Sequence, residues 1–279
     1  MTGPRARKPA PSRAPAAAGD RRGQVQSLQR AIRILEVLAE SAYGMSLGEM
    51  AEILGLPPST LHRLLTTLES SRFVRFDAGE GLWQIGVQAF VIGSAFVRAR
   101  DLVRMARPHM RRLMEASGET ANIYVEDNGE AVCIGQVECR QVMRAISRPG
   151  GRVRMHCSGA GKAILAWRDD EELAAVLRRH GLPRATERTI DRPARLREEL
   201  ARIRERGFAV DDEEYAIGMR CVAAPLFDEQ GYAIAAVSVS GPRARIDDAR
   251  LAELGSLVAR TARAVTAAYG GTEPEKGSF

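Results

Sequence analysis

The most constraining feature of this sequence is a run of local helix signals between Ser46 and Pro58. Ser46 and Glu49 have the spacing of a capping box. In this motif the serine hydroxyl accepts a hydrogen bond from an amide of the first turn, and the glutamate side chain accepts one from the serine amide. Gly55 suits the left-handed residue that ends a helix. Pro57 and Pro58 follow it, and proline suits the start of a helix better than its interior. The sequence therefore predicts two helices joined by a tight turn.

The helix after this turn, predicted from about Ser59 to Ser70, has two unlike faces. Leucines recur along one face at the i, i+3, i+4, i+7 spacing of a buried helical stripe. The other face carries hydroxyls, an imidazole and a guanidinium but no acid: Ser59, Thr60, His62, Arg63, Thr66 and Thr67. An earlier amphipathic helix is predicted over about Ser27–Ala39. Together these helices are typical of a helix-turn-helix over about residues 47–66, whose last helix enters the major groove.

A β-hairpin is predicted directly after the third helix. Arg72–Phe76 and Leu82–Ile85 alternate like strands, and the residues between them are turn-like. A hairpin here would be a wing, and residues 25–86 then form a winged helix-turn-helix domain. The residues expected to contact DNA are Ser46, Pro58, Ser59, Thr60, His62, Arg63, Thr66, Arg72 and Arg75. The alternative is a small helical bundle with a hairpin and no nucleic-acid role.

The net charge of +6 is concentrated at the N-terminus. The first 23 residues contain six lysines and arginines and a single acid, Asp20, with four prolines. Such a segment cannot bury a core, so we expect residues 1–24 to be a disordered basic tail. It either adds salt-sensitive attraction for phosphates or has no role. A short flexible tail is also expected over residues 272–279.

The second half of the chain predicts a mixed α+β domain over residues 102–271. A linker helix with an apolar stripe is expected over residues 87–101, and it either pairs with the same helix of another subunit or packs on its own domain. Asn128-Gly129 between two strand-like runs is a strong hairpin signal. Val142–Ser147 is predicted as a third strand. The order of strands and helices favours an antiparallel sheet over a doubly wound one.

Several function classes find little support in the residues. There is no run of eighteen apolar residues, no signal peptide, no CxxC pair among the four cysteines and no metal-ligand spacing among the four histidines. Gly161-Lys162 lacks the first glycine and the hydroxyl of a phosphate-binding loop. We therefore expect a cytoplasmic protein with no membrane association, metal or cofactor, and not an enzyme, although an enzyme is the main rival class.

The sequence resembles the IclR family of bacterial transcription regulators. The segments that carry the resemblance are Gln26–Ala31, Leu56–Leu65, Met155–Ala163, Gly207–Glu214, Gly218–Pro225 and Ser238–Pro242. The resemblance implies a winged helix-turn-helix joined to a GAF/PAS-like effector-binding domain. It also implies a homodimer or homotetramer that binds palindromic double-stranded operators.

Within that family, the chain is similar to the glyoxylate-responsive members. Carrying their pocket over by motif implies these effector-binding residues: Ala145, Val153, Gly159, Ala160, Asp211, Cys221, Ser238 and Ser240. Amides at the start of a helix can bind a carboxylate, and Asp211 can accept from the hydroxyls of a hydrated aldehyde. We expect a repressor released by glyoxylate. The alternatives are an activator, a different small oxo-acid or aromatic acid, or residues that merely close the helix and sheet.

Overall fold

The computed structural model describes residues 25–99, 102–143 and 147–274, and for residues 94–99 only the backbone. The chain divides into two compact units between Ala95 and Phe96, within the predicted linker helix. Among the described residues, no helix is both long and apolar enough to cross a membrane. The predicted basic tail, residues 1–24, lies outside the described part of the chain.

The first unit contains three helices and a two-stranded antiparallel hairpin. Its elements are α1 (Gln26–Glu40), α2 (Leu47–Leu54), α3 (Pro58–Ser70), β1 (Val74–Asp77) and β2 (Leu82–Ile85). The predicted capping box forms, since the Ser46 hydroxyl accepts from Glu49 N and the Glu49 carboxylate accepts from Ser46 N. Gly55 has a φ of 63°, as a helix end in the left-handed region requires.

The core of the first unit is made by the apolar stripes of its helices and by the hairpin. Its fully or nearly fully buried members are Ile34, Leu38, Met50, Leu61, Leu65, Val74 and Trp83. Because α3 places Leu61 and Leu65 in this core, its opposite face is left to solvent. The helical spacing of the leucines thus decides which side chains of α3 are exposed.

The turn between α3 and the hairpin departs from the predicted strand. Arg72 was expected to begin the strand, but β1 begins at Val74 and Arg72 has a φ of 61°. A Cβ on Gly86 would lie 2.2 Å from the Arg72 carbonyl oxygen, so only glycine fits there. The same oxygen accepts a hydrogen bond from Gln88 N at 3.1 Å, at the start of α4 (Val87–Ala99). This turn therefore joins α3, the hairpin and α4.

The second unit is an antiparallel sheet with helices on both faces. Its helices are α5 (Leu102–Ser117), α6 (Gly159–Leu165), α7 (Asp170–His180), α8 (Pro193–Arg206) and α9 (Asp248–Tyr269). Its strands are β3 (Thr120–Asp127), β4 (Glu130–Val137), β5 (Arg152–Arg154), β6 (Ala209–Asp212), β7 (Met219–Phe227) and β8 (Ala233–Pro242). The strand order is β5-β4-β3-β8-β7-β6, with every neighbouring pair antiparallel. The α+β prediction is confirmed.

Two strand predictions need correction. The predicted strand Val142–Ser147 is wrong at its described residues, none of which lies in a strand; residues 144–146 are outside the described part of the chain. The place beside β4 is taken instead by β5, where Val153 pairs with Ala131. The apolar composition of residues 142–147 suggested a strand, but Val142 and Met143 are 100% and 70% exposed. The short edge strands β5 and β6 were not predicted as strands.

Each face of the sheet is covered by its own apolar layer. One packs against α5 and α9 and includes Ile123, Val237 and Val239. The other packs against α6, α7 and α8 and includes Tyr124, Ala223 and Ala236. Because side chains alternate along a strand, Asn122, Ser238, Ser240, Cys221 and Asp211 share the α6 side of the sheet.

Helix α6 approaches its neighbours too closely for a side chain at Gly161. A Cβ there would lie 2.3 Å from Met155 Cα and 2.4 Å from its carbonyl oxygen, and backbone atoms cannot move aside as a side chain can. Gly48, in the first turn of α2, has no atom within 4 Å of the same position.

We therefore predict opposite effects of two helical glycine-to-alanine substitutions. Gly161→Ala should lower the free energy of unfolding by about 3 kcal/mol, because the new Cβ would clash with backbone atoms of Met155. Gly48→Ala should raise it by up to about 1 kcal/mol, because alanine favours a helix. Urea unfolding followed by circular dichroism measures both. An unchanged stability of Gly161→Ala would show that α6 is not held at this distance.

Candidate functional sites

The exposed face of α3 presents the residue types that sequence analysis predicted there. His62, Arg63, Thr66 and Thr67 are exposed, whereas Leu61 and Leu65 are fully buried. Pro58 and Ser59 are exposed at the start of the helix, and Thr60 is half-buried. The helix therefore offers a continuous polar surface without an acidic side chain over its first three turns.

Some side chains on this surface already make contacts within the protein, and others make none, in the part of the chain that the structure describes, that would compete with an outside partner. The hydroxyls of Thr66 and Thr67 donate to the backbone carbonyls of His62 and Arg63, each at 2.9 Å. The His62 ring lies edge-on to Trp83 of the hairpin, with 6.3 Å between centroids. Arg63 is exposed and pairs with no acid among the described residues. Its guanidinium is thus the most available charged group on the face.

The remaining predicted DNA-contacting residues flank α3. Arg72 and Arg75 are exposed, Arg72 in the turn after α3 and Arg75 in β1 opposite Gln84. Ser46 is half-buried and its hydroxyl lies 2.7 Å from the Glu49 carboxylate, so its side chain is already used in the helix cap. The surface is accordingly carried by α3 and the two arginines, with Ser46 at its margin.

A cavity of about 220 Å³ opens where the start of α6 faces the sheet of the second unit. Six of the predicted effector residues line it: Val153, Gly159, Ala160, Asp211, Cys221 and Ser240. Ser238 is fully buried and does not line the cavity, although it lies on the same side of the sheet. Ala145 is outside the described residues.

Close packing of α6 against β7 shapes one end of the cavity. Ser158 caps the helix by accepting from Gly161 N at 3.1 Å. A Cβ on Gly159 would lie 2.9 Å from Cys221 Sγ, so glycine is needed for this approach. The helix start, with its amide groups, therefore faces the cavity directly, in an arrangement that suits an anion.

A row of side chains crosses three strands at the floor of the cavity. Ser240 pairs with Cys221, and Cys221 pairs with Asp211, across β8, β7 and β6. Burial raises the pKa of the Cys221 thiol to about 11, so the thiol stays protonated and can donate a weak hydrogen bond. Asp211 is 6% exposed, and its Oδ1 accepts from Glu214 N at 2.7 Å and Tyr215 N at 3.2 Å.

The pKa of Asp211 is raised to about 7, chiefly by burial. The Lys162 ammonium opposes this shift and the Glu214 carboxylate adds to it. Lys162 is itself fully buried; it donates to the Val210 carbonyl at 2.6 Å and pairs with the Glu214 carboxylate. A buried carboxyl that exchanges a proton near neutrality can either accept or donate a hydrogen bond to a ligand.

Sequence reasoning missed about half of the cavity lining. The missed residues are Tyr124, Ser147, Ser158, Tyr215, Ala216, Met219 and Arg220. Met219 could have been found, because it lies two residues before Cys221 on the same strand and so on the same side. Tyr124 could not, because the register of β3 against β8 is not readable from the sequence. The Tyr124 hydroxyl donates to Ser147 Oγ at 2.8 Å.

The raised pKa of Asp211 predicts a specific pH dependence of stability. Between the usual carboxyl range near pH 4 and about pH 7, the folded protein retains a proton that the unfolded chain has lost. Folding stability therefore falls as pH rises through this interval and stays reduced above it. Asp211→Asn keeps the acceptor for Glu214 N and Tyr215 N but removes the titration.

We predict that Asp211→Asn is more stable than the unmodified protein at about pH 8, and that the difference shrinks towards about pH 5. Thermal unfolding across this range measures it. Asp170→Asn, which removes an exposed carboxylate, reports the general effect of losing one negative charge. A stability difference that does not change with pH, or that matches the control, would contradict the raised pKa.

Family comparisons match both units. The family model described as IclR helix-turn-helix domain matches residues 27–78. The model described as bacterial transcriptional regulator IclR C-terminal matches residues 94–267, more than half of the chain. The first match contains α2, α3 and the start of the hairpin, and the second contains every residue that lines the cavity.

Individual proteins are similar along nearly the whole chain. The transcriptional repressor IclR of Escherichia coli is 48% identical over 269 residues, which cover 96% of this chain and 96% of that protein. The acetate operon repressor of Salmonella typhimurium is 46% identical over 270 residues, covering 96% and 97%. The crystal structure of Thermotoga maritima IclR superposes with a TM-score of 0.74 at 31% identity, covering 88% of this chain and 98% of that one.

Proposed function

Because the chain belongs to the IclR family of bacterial transcriptional regulators, we propose that it is a repressor whose operator binding is relieved by a small carboxylate, glyoxylate or a close relative. It is a DNA-binding transcription regulator, and similar proteins carry the name repressor. Those names support repression as the direction of control. The observation that carries the effector assignment is that six residues chosen by motif line one cavity.

The first unit supports binding to a duplex through the major groove. A helix whose exposed side chains are short hydroxyls, an imidazole and a guanidinium can contact both phosphates and base edges. Arg63 would read a base or a phosphate near the start of α3, while Arg72 and Arg75 would bind backbone phosphates beside it. Phosphate contacts of this kind weaken as salt concentration rises.

A symmetric assembly would match a palindromic operator. In the described part of α4, Val87, Val91 and Ile92 are 61%, 45% and 52% exposed, an unusual amount of apolar surface for one helix. This favours pairing with a second copy, and so a homodimer or a pair of dimers. Two recognition helices would then read half-sites roughly 34 Å apart or a multiple of it.

The second unit supports capture of an oxygen-rich acid. The amides at the start of α6 suit the carboxylate, and Ser240, Cys221 and Asp211 would face the adjoining oxygen. A hydrated aldehyde offers hydroxyls that an ionised Asp211 accepts, whereas a keto group would accept from the protonated form. Apolar wall residues, including Tyr124, Val153 and Met219, keep an aromatic or longer oxo-acid as the second candidate.

Operator binding should depend on Arg63. We predict that Arg63→Ala weakens binding to the protein's own upstream region by about 10- to 100-fold, since a charge-assisted contact is worth about 1.5–3 kcal/mol. Fluorescence anisotropy with labelled duplex measures it. Arg179→Ala, an exposed arginine on α7, is the matched control and should bind normally. Equal affinity of the two variants would remove α3 from the interface.

The effector assignment predicts two linked results with glyoxylate. Calorimetry should show binding, and glyoxylate should release the labelled duplex in the same anisotropy assay. Ser240→Ala should weaken glyoxylate binding by about 10-fold while leaving DNA affinity in its absence unchanged. Ser256→Ala, an exposed serine on α9, should behave like the unmodified protein. Binding of pyruvate or a hydroxybenzoate in place of glyoxylate would overturn the choice of effector but not the pocket.

A further inference from the structure

Two buried polar atoms beside the cavity have no hydrogen-bond partner within the described chain. They are Nδ2 of Asn122, on β3, and Oγ of Ser238, on β8. Both residues are fully buried. The Ser238 hydroxyl lies near the Cys221 thiol and partly opposes the rise in the pKa of that thiol that burial causes. It does not, however, reach hydrogen-bond geometry with the thiol. Buried polar groups are nearly always paired, so each of these atoms calls for an explanation.

The two atoms belong to neighbouring side chains. Asn122 and Ser238 are directly opposite in the register of β3 and β8, on the side of the sheet that faces α6. Side chains paired in this way have their Cβ atoms about 4.5–5.5 Å apart. A single ligand oxygen between them could therefore be reached by both.

Neighbouring contacts determine which atom of the Asn122 amide is free. Gln136 Nε2 donates to Asn122 Oδ1 at 3.0 Å and also to the Ser147 backbone carbonyl. A carbonyl oxygen can only accept, so the Gln136 atom that faces it must be the nitrogen. The Asn122 atom facing that nitrogen is then the oxygen. The Asn122 nitrogen, with two N–H donors, is left without an acceptor among the residues that the structure describes.

The free donors lie at the edge of the cavity already described. Tyr124 and Ser240, the next residues along each strand on the same side, both line the cavity. Ser147, which accepts from Gln136, lines it as well. Asn122 and Ser238 are thus next to three residues that line the cavity, although neither forms part of its present wall.

We propose that Asn122 is an effector-contacting residue, whose amide binds a carboxylate or carbonyl oxygen of the effector together with the Ser238 hydroxyl. The inference rests on the proposed effector function and adds a site residue that no family motif in this chain pointed to. Because the Asn122 nitrogen is a donor only, it selects an oxygen acceptor and rejects a protonated ligand amine, which has no lone pair to accept with. The opposite end of the same acid would face the amides at the start of α6.

Asn122→Leu tests this directly, because leucine has nearly the same shape and no donor. We expect its affinity for glyoxylate, measured by calorimetry, to fall by about 10- to 100-fold. Its melting temperature without glyoxylate should change little, because removal of the unpaired buried N–H offsets the loss of the hydrogen bond from Gln136 to Asn122 Oδ1, and Gln136 keeps its contact with the Ser147 carbonyl. The rise in melting temperature that glyoxylate causes in the unmodified protein should be reduced or lost.

Thr120→Val is the matched control on the same strand and side. The Thr120 hydroxyl is buried but already used, since it contacts Cys139 Sγ at 3.5 Å and accepts from Cys139 N at 3.3 Å. This variant should therefore lose stability but keep its glyoxylate affinity. Asn122→Ser, which retains one donor, should fold and show an intermediate affinity, so the test does not depend on the leucine variant alone.

Further results would separate the possible explanations. If Asn122 and Ser238 bind the same oxygen, the two substitutions should not act independently. The double variant Asn122→Leu, Ser238→Ala should then lose glyoxylate affinity by a smaller factor than the product of the factors lost by the two single variants. Lower stability of both Asn122 variants with unchanged glyoxylate affinity would mean that Asn122 only holds a buried water, and would overturn the proposal. No binding of glyoxylate by the unmodified protein would instead contradict the proposed effector.

Discussion

The contact on which the ligand site depends is the close approach of α6 to the backbone around it. Gly161 lies against Met155, and Gly159 lies against Cys221, each at a distance that excludes a Cβ. These two glycines bring the amide end of a helix to the side of a sheet that carries serine, cysteine and aspartate. A larger residue at either position would push the helix away and separate the groups that face the cavity.

Burial then sets the chemistry of that site. Lys162 is fully buried and pairs with Glu214, and removing one member of such a pair would leave an uncompensated charge. Asp211 lies close to this pair but keeps a raised pKa, because desolvation outweighs the nearby ammonium. The cavity thus combines amide and hydroxyl donors with a carboxyl that can change its protonation near neutrality. This suits a small oxygen-rich acid better than a hydrocarbon.

In the first unit, the corresponding constraint is the leucine stripe of α3. Burying Leu61 and Leu65 orients the helix, and the same orientation exposes Arg63 and His62. The left-handed backbone of Arg72 and the missing side chain of Gly86 then allow the hairpin and the start of α4 to meet at the end of that helix. The exposed face of α3 and the beginning of α4 therefore belong to one packed unit.

Local signals in the sequence were sufficient for most helices, for the two hairpins and for the face of α3 that is exposed. Capping residues, glycine ends and the leucine spacing act within a few residues, so they can be read directly. The motif resemblance also identified six residues that line the cavity. The error at Val142–Ser147 and the missed strands β5 and β6 arose because an edge strand is defined by its partner, not by its own composition.

Only the tertiary structure decided the rest of the site. Tyr124 comes to the cavity, and Asn122 to a place beside it, through the register of β3 against β8, which joins residues more than a hundred positions apart. The protonation of Asp211, and the Asn122 amide nitrogen that has no partner among the described residues, depend on what surrounds them in space. Sequence determined the elements because their signals are local, whereas pairing, burial and the balance of hydrogen bonds arise only when distant segments pack together.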